Sequence, residues 1–185
     1  VHDQFIIEGG LRGDYVKEFG FELLPRISLL YKPTTRFTTR LGGGFGYKSP
    51  TIFTEEAERR QFQEILPIDL LNSRNERSVG FNWDINYSTT IGGVALTINQ
   101  LFYYTRLNSP LVLESEISGL FNYKNANGYL DTRGIETNVR FAYEDFKLFV
   151  GYTLTDANTH FDQRKSWLPL TAKHRLNNVL MYEVE

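Results

Sequence analysis

Alternation with a period of two runs through most of this chain and limits its fold more than any other feature. From Val79 to Tyr87 the odd positions are Val79, Phe81, Trp83, Ile85 and Tyr87, with Gly80, Asn82, Asp84 and Asn86 between them. Successive side chains of a strand point to opposite faces, so this is a strand with one apolar and one polar face. The pattern recurs. Val94, Leu96, Ile98, Phe102 and Tyr104 form one such set, interrupted by Gln100. Ile135, Val139, Phe141 and Tyr143 alternate with Gly134, Glu136, Asn138 and Arg140. Phe146, Leu148, Val150, Tyr152 and Leu154 alternate with Lys147, Gly151 and Thr153, broken only by Phe149. Leu176, Leu180, Tyr182 and Val184 oppose Arg175, Asn177 and Glu183. Earlier, Phe5, Ile7, Leu11 and Tyr15 oppose Glu8, Arg12 and Asp14, and Ile27, Leu29 and Tyr31 oppose Arg26, Ser28 and Lys32. Phe37, Leu41, Phe45 and Tyr47 oppose Thr38, Arg40 and three glycines. About eight strands of roughly 9–12 residues result, near the length a tilted membrane strand needs.

The connections add a second regularity. Pro33-Thr34-Thr35, Ser88 to Gly93, and Glu144-Asp145 are short turns, whereas Lys48 to Arg77, Asn108 to Gly128 and Thr155 to Ala172 are long. Only the first connection of the long set, around Lys17 to Phe21, is short. Tight turns on one rim and long loops on the other characterise membrane barrels. Aromatic residues follow the same division. Tyr31, Phe37, Tyr87, Tyr143 and Phe146 lie on the apolar face beside the short turns, and Tyr15, Phe45, Tyr47, Tyr104 and Tyr152 lie on it toward the long loops. Two bands of amphipathic rings flanking an aliphatic middle match the interfacial girdles of such barrels.

These features predict an all-β, antiparallel up-and-down transmembrane barrel segment with the girdle facing lipid. Glu8, Arg12, Arg40, Asp84, Glu136 and Arg140 are then expected to face the lumen. Alternation by itself leaves the inside face open: a soluble ligand-binding barrel would place Phe81 and Trp83 in its lumen. A self-contained eight-stranded outer-membrane structural or adhesion barrel is a further alternative. The mean hydropathy of -0.34 does not discriminate, because barrel strands average out.

Several functions are disfavoured. A net charge of -2 gives no basic excess for nucleic acid. With no cysteine there is neither a disulfide framework nor a thiolate metal site. His2, His160 and His174 are too scattered to suggest a metal site, and a solvated loop is favoured over chelate contact for His160 with Asp156 and Asp162. Gly42-Gly43-Gly44-Phe45-Gly46 is not followed by a Lys-Ser/Thr pair or a helix pattern, so a phosphate loop is not supported. No Ser/His/Asp grouping supports catalysis, so neither an enzyme nor a cofactor is expected. Residues 55–62 are good helix formers and predict a short helix within the first long loop.

Local segments carry a family resemblance. Pro25-Arg26-Ile27-Ser28-Leu29-Leu30-Tyr31-Lys32-Pro33 followed by Phe45-Gly46-Tyr47-Lys48-Ser49-Pro50-Thr51 resembles a hairpin and strand end of TonB-dependent receptors. Phe102 to Leu107 resembles a strand before a ligand-side loop, and Tyr123, Asn125 and Ala126 a loop segment of the same family. Arg133-Gly134-Ile135-Glu136 and Lys173-His174-Arg175-Leu176-Asn177 resemble two strand starts, although the proline of the second is displaced to Pro169. The matches come in the family's order and span most of the chain.

The resemblance implies part of an outer-membrane barrel of about 22 strands in a Gram-negative bacterium. Such a barrel imports a scarce metal chelate of the ferric siderophore, haem or cobalamin type, with a plug domain inside it and energy supplied through TonB. The segment shows no plug, TonB box or terminal closing strands, and a barrel of that family needs roughly 400 residues or more. Transport by the segment alone is therefore not expected. The three long loops would form the ligand mouth.

Overall fold

The computed structural model describes residues 4–116 and 118–183. His2 and Val184 lie outside the described residues. Eight long strands build one antiparallel sheet: β1 (Phe5–Val16), β2 (Gly20–Tyr31), β3 (Phe37–Lys48), β4 (Glu76–Ile91), β5 (Val94–Asn108), β8 (Gly128–Tyr143), β9 (Phe146–Phe161) and β11 (His174–Tyr182). Between β5 and β8 the chain forms a small hairpin, β6 (Leu111–Ser115) and β7 (Phe121–Asn125). The short β10 (Arg164–Trp167) pairs with the loop-side end of β9, and β11 pairs with the rest of that edge. β1 and β11 do not pair with one another, so the sheet is open rather than closed into an eight-stranded barrel.

The register carries the alternating faces across every seam. Leu29 stands opposite Leu41, Leu41 opposite Trp83, Trp83 opposite Phe102, and Phe102 opposite Ile135, which stands opposite Leu154. A slip by one residue at any seam would put polar groups into this face. The other face carries Arg40 opposite Asp84, Asp84 opposite Leu101, and Leu101 opposite Glu136. Glu8, Arg12 and Arg140 share its parity through Ser28, Leu24 and Thr97. All six charged residues singled out in the sequence therefore share one face, and Tyr31, Phe37, Tyr87, Tyr104, Tyr143 and Tyr152 share the other.

The aromatic ends of the apolar face are not level along the ladder. Tyr31 lies opposite Thr39, and the same row continues through Ile85, Gln100 and Thr137 to Tyr152. One row thus joins the turn-side band on β2 to the loop-side band on β9. Both bands cross the hydrogen-bonded rows obliquely, which is the geometry of strands tilted against a barrel axis. Phe5, stacked on Tyr31 at 4.3 Å, and Tyr182, packed on Phe146 at 4.7 Å, extend the turn-side band to both edges.

Some expected boundaries shift. The turn between β4 and β5 is only Gly92-Gly93, both at positive φ as a tight hairpin turn requires. Much of the stretch from Thr155 to Ala172, expected as loop, is strand: β9 continues to Phe161, and Asp162-Gln163, both at positive φ, turn it into β10. Arg133-Gly134-Ile135-Glu136 lies within β8 rather than at its start. The cause is visible on the apolar face. Beyond Tyr104 that face turns polar, with Arg133 paired to Asp156 at 2.8 Å and His160 to Asp131 at 2.7 Å, while the Arg106 guanidinium covers the Tyr129 ring at 3.7 Å. The opposite face carries Leu107, Leu130, Ala157 and Phe161 there, so the strand continues but the sidedness of its alternation reverses.

The sheet has little apolar core of its own. The buried hydrophobic cluster of Ala57, Leu111 and Tyr123, with Ile65, Ile68 and Leu113 against it, lies in the first two long loops.

Candidate functional site

Residues 49–75, 109–116 and 118–127 fold into a single lid. The first loop contains the short helix α1 (Glu55–Arg59). Thr54 caps it, its hydroxyl accepting the Ala57 N–H at 3.2 Å; three acidic residues occupy the first turn and Arg59 the last, which suits the helix dipole. Ala57 on its inner side is fully buried. The Tyr123 hydroxyl of β7 donates to the Ile52 carbonyl at 3.1 Å and shares a hydrogen bond with Thr54 at 3.0 Å. Backbone bonds join the loops as well: Phe121 N–H donates to the Glu64 carbonyl and Leu66 N–H to the Phe121 carbonyl, each at 2.7 Å. The Arg60 guanidinium lies 3.4 Å above the Phe121 ring. Within the first loop, Asp69 accepts from the Asn72 amide and from the N–H groups of Leu71 and Asn72. The Asn72 side chain is the main reason its carboxyl is held below the usual range.

The lid is rooted in four consecutive residues. Arg74 N–H donates to the Asn125 side-chain oxygen at 2.8 Å, and the Asn125 amide donates back to the Arg74 carbonyl at 3.0 Å. The Glu76 carboxylate accepts Leu111 N–H at 2.7 Å. Asn75 and Arg77 turn instead to Glu22 of β2: the Asn75 amide donates at 2.9 Å, and the Arg77 guanidinium grips the carboxylate with contacts of 3.0, 3.1 and 3.3 Å.

Beneath the lid lies a cavity of about 1240 Å³. Its sheet wall includes Lys48, Glu76, Leu107, Leu130, Thr159 and Phe161, all of which share the parity of Arg40, Asp84 and Glu136. The long loops therefore fold over the polar face. The third loop closes the far side with Trp167 to Thr171, fastened where Leu168 N–H donates to the Ala157 carbonyl at 3.0 Å. Phe53, Phe121 and Trp167 supply aromatic lining, and Lys48, Arg59 and Arg60 supply positive charge. Glu56 and Glu76 also line the cavity, but both accept backbone N–H groups of β6.

The charged residues foreseen on the polar face are spread along it rather than gathered. Arg12 pairs with Asp14 on its own strand. Asp84 accepts from the Asn86 and Asn99 amides, and Glu136 from the Asn138 amide at 2.7 Å. Among the described residues no ion pair joins Arg40 to Asp84 across their seam. Tyr103 reaches across Gly134 to bond the Thr155 hydroxyl at 2.8 Å, and a Cβ at Gly134 would stand 2.4 Å from the Tyr103 hydroxyl. His160 engages Asp131, while Asp156 holds Arg133, so His160, Asp156 and Asp162 do not form a common site. The contacts of Glu22 with Asn75 and Arg77 were not anticipated; separations of 53 and 55 residues leave no local signal.

The family model for the TonB dependent receptor-like β-barrel matches residues 1–184. The siderophore receptor PirA from Pseudomonas aeruginosa superposes with a TM-score of 0.77 at 15% identity, covering 100% of this chain and 35% of that one. The FrpB iron transporter from Neisseria meningitidis (F5-1 variant) gives 0.69 at 18% identity, with 98% and 29% covered. A double mutant of the Serratia marcescens hemophore receptor HasR, in complex with its hemophore HasA and heme, gives 0.59 at 14% identity, with 82% and 29% covered. The chain spans roughly a quarter to a third of these solved relatives' length. No curated protein sequence matches significantly. With the family model covering nearly the whole sequence, this chain belongs to the TonB-dependent receptor β-barrel family.

Proposed function

We propose that the chain is a barrel segment of an outer-membrane receptor that actively imports a metal chelate of the ferric siderophore, haem or cobalamin type. The apolar face meets lipid. The polar face, with Glu8, Arg12, Arg40, Asp84, Glu136 and Arg140, lines a lumen filled by water and a plug domain. TonB in the inner membrane supplies the energy. The lid and its cavity form part of the ligand mouth on the cell's outer side.

The observation that carries this reading is the side on which the loops lie. They fold over the loop-side end of the polar face and leave the apolar face bare, with Ile7, Leu11, Ile27, Phe81 and Trp83 exposed. An apolar sheet face of that extent is stable against lipid and a liability in water. The spacing of the aromatic bands supports it. Phe21 to Tyr31, Phe37 to Phe45, and Phe146 to Tyr152 span roughly 15–25 Å of height at a rise of about 3.3 Å per residue and a tilt of about 40°. The open edges at β1 and β11 suit a segment whose neighbours complete the barrel.

The test is uptake. Cells whose iron supply depends on the receptor carrying this segment are offered a ferric tris-catecholate, a ferric trihydroxamate and haem, and cobalamin uptake is measured in parallel. Accumulation of one class, abolished when TonB is absent, is the expected result. A receptor that accumulates none of the four, or one whose uptake is indifferent to TonB, contradicts the reading.

A further inference from the structure

The seam between β2 and β3 differs from its neighbours. It has six register pairs, Arg26 to Tyr31 on β2, whereas β1–β2 and β3–β4 have twelve each. Pro25 explains where it stops. Lys32 N–H bonds to the Gln4 carbonyl, so even-numbered β2 residues bond toward β1 and odd-numbered ones toward β3. Pro25 is odd and has no N–H, so the ladder to β3 loses a donor there. Beyond it, Glu22 supplies side-chain contacts that bypass β3 and reach Arg77 of β4 and Asn75 before it.

We propose that Glu22 is a positioning residue for the ligand-side lid, clamping residues 74–77 so that the lid and the β1–β2 hairpin move as one. The four residues divide their contacts: the Arg74 backbone and the Glu76 carboxylate hold β7 and β6, whereas the side chains of Asn75 and Arg77 hold Glu22. Glu22, Asn75 and Glu76 are 5%, 7% and 7% exposed, so their polar groups are costly to leave unpaired. Loss of the Glu22 charge leaves Arg77 without its carboxylate, frees the loop-side end of β2, and loosens the segment on which both lid loops are rooted. The lid's seating over the cavity then depends on a residue outside the cavity lining. Its role in ligand capture rests on the import reading above; the mechanical coupling does not.

The experiment uses the whole receptor with Glu22→Gln, and Glu18→Gln in the exposed β1–β2 turn as control. Amide hydrogen exchange is followed in residues 21–24, in 109–125, and in the middle of β8. Glu22→Gln is expected to speed exchange in the first two regions by roughly tenfold or more, as loss of a charge-assisted contact implies, with β8 unchanged. Glu76→Gln cuts the lid side alone and is expected to speed 109–125 while leaving 21–24 protected. If Glu22→Gln does not fold, Asn75→Ala tests the same clamp from the lid side and is expected to speed both regions. Faster exchange confined to 21–24 in the clamp variant overturns the proposal, as does no change in either region. For whichever of the four probes the wild type accumulates, Glu22→Gln is expected to raise the half-saturating concentration with the maximal rate retained, and Glu22→Asp to restore it in part. An unchanged half-saturation despite a loosened lid overturns the role in ligand capture. A wild type that accumulates no probe removes the import reading, and the exchange results still decide the clamp.

Discussion

The indole N–H of Trp83 donates to the Thr39 hydroxyl across the β3–β4 seam at 2.8 Å, and that hydroxyl donates in turn to the Asp84 carbonyl at 3.0 Å. Both side chains stand on the apolar face. Farther along it, the Thr137 hydroxyl donates to the Gln100 side-chain oxygen at 2.6 Å, and the Gln100 amide reaches the Glu136 carbonyl at 3.2 Å. Polar groups here are thus tied to the protein itself, the requirement lipid imposes by offering no partners.

On the proposed lipid-facing assignment, Thr39→Val strands the Trp83 N–H in hydrocarbon. A loss of about 1–2 kcal/mol is expected in a denaturant refolding titration of the receptor in lipid. In a Trp83→Phe background the same change should cost much less. Equal costs in both backgrounds would show that the threonine acts by shape rather than by its hydrogen bond.

Leu148→Arg places a charge on the apolar face, opposite Phe141 and Leu180. A cost of about 2–4 kcal/mol is expected near mid-membrane. Asn138→Ala on the opposite face loses one exposed contact with Glu136 and should cost less than about 1 kcal/mol. The same titration checks both, and similar losses would count against the assignment of faces.

Gly134→Ala and Gly80→Ala differ sharply. A Cβ at Gly134 would stand 2.3 Å from the Leu154 carbonyl oxygen, a backbone atom that cannot step aside, whereas at Gly80 the nearest atom is 3.6 Å away. The first change should cost about 1–3 kcal/mol and the second very little. Thermal unfolding of the two variants measures the difference.

Tyr123→Phe removes the hydroxyl that joins β7 to Thr54 and Ile52. The sheet should keep its stability while the lid loosens by about 1–2 kcal/mol. Limited proteolysis is expected to cut faster within residues 49–75, with the barrel fragment left intact.

Much of this architecture is legible in the sequence because one physical rule governs it. Where one face meets an apolar medium and the other a polar one, alternation is written into each strand, as from Phe81 to Tyr87, and register follows from it. The short helix beside Thr54 was legible from its helix formers. Legibility fails where that rule lapses. From Thr155 to Phe161 the face that was apolar carries Asp156, Asn158 and His160, and the other has only Ala157 and Phe161 among threonines, so strand reads as loop. Leu111 to Leu113 is too short an apolar run to announce a hairpin strand. The clamp on Glu22 depends on Pro25 ending a ladder and on residues more than fifty positions away, a relation only the fold brings about.

The central claim is that the apolar face meets lipid and the polar face water. The segment has no cysteine, so single cysteines from Glu136 to Phe141 can each carry a nitroxide label in a receptor otherwise cleared of thiols. Collision with oxygen, which concentrates in lipid, and with a water-soluble nickel chelate is then measured at each position by electron paramagnetic resonance. The expected result is alternation, with oxygen dominant at Thr137, Val139 and Phe141 and nickel dominant at Glu136, Asn138 and Arg140. Reversed alternation, or none, would contradict the account.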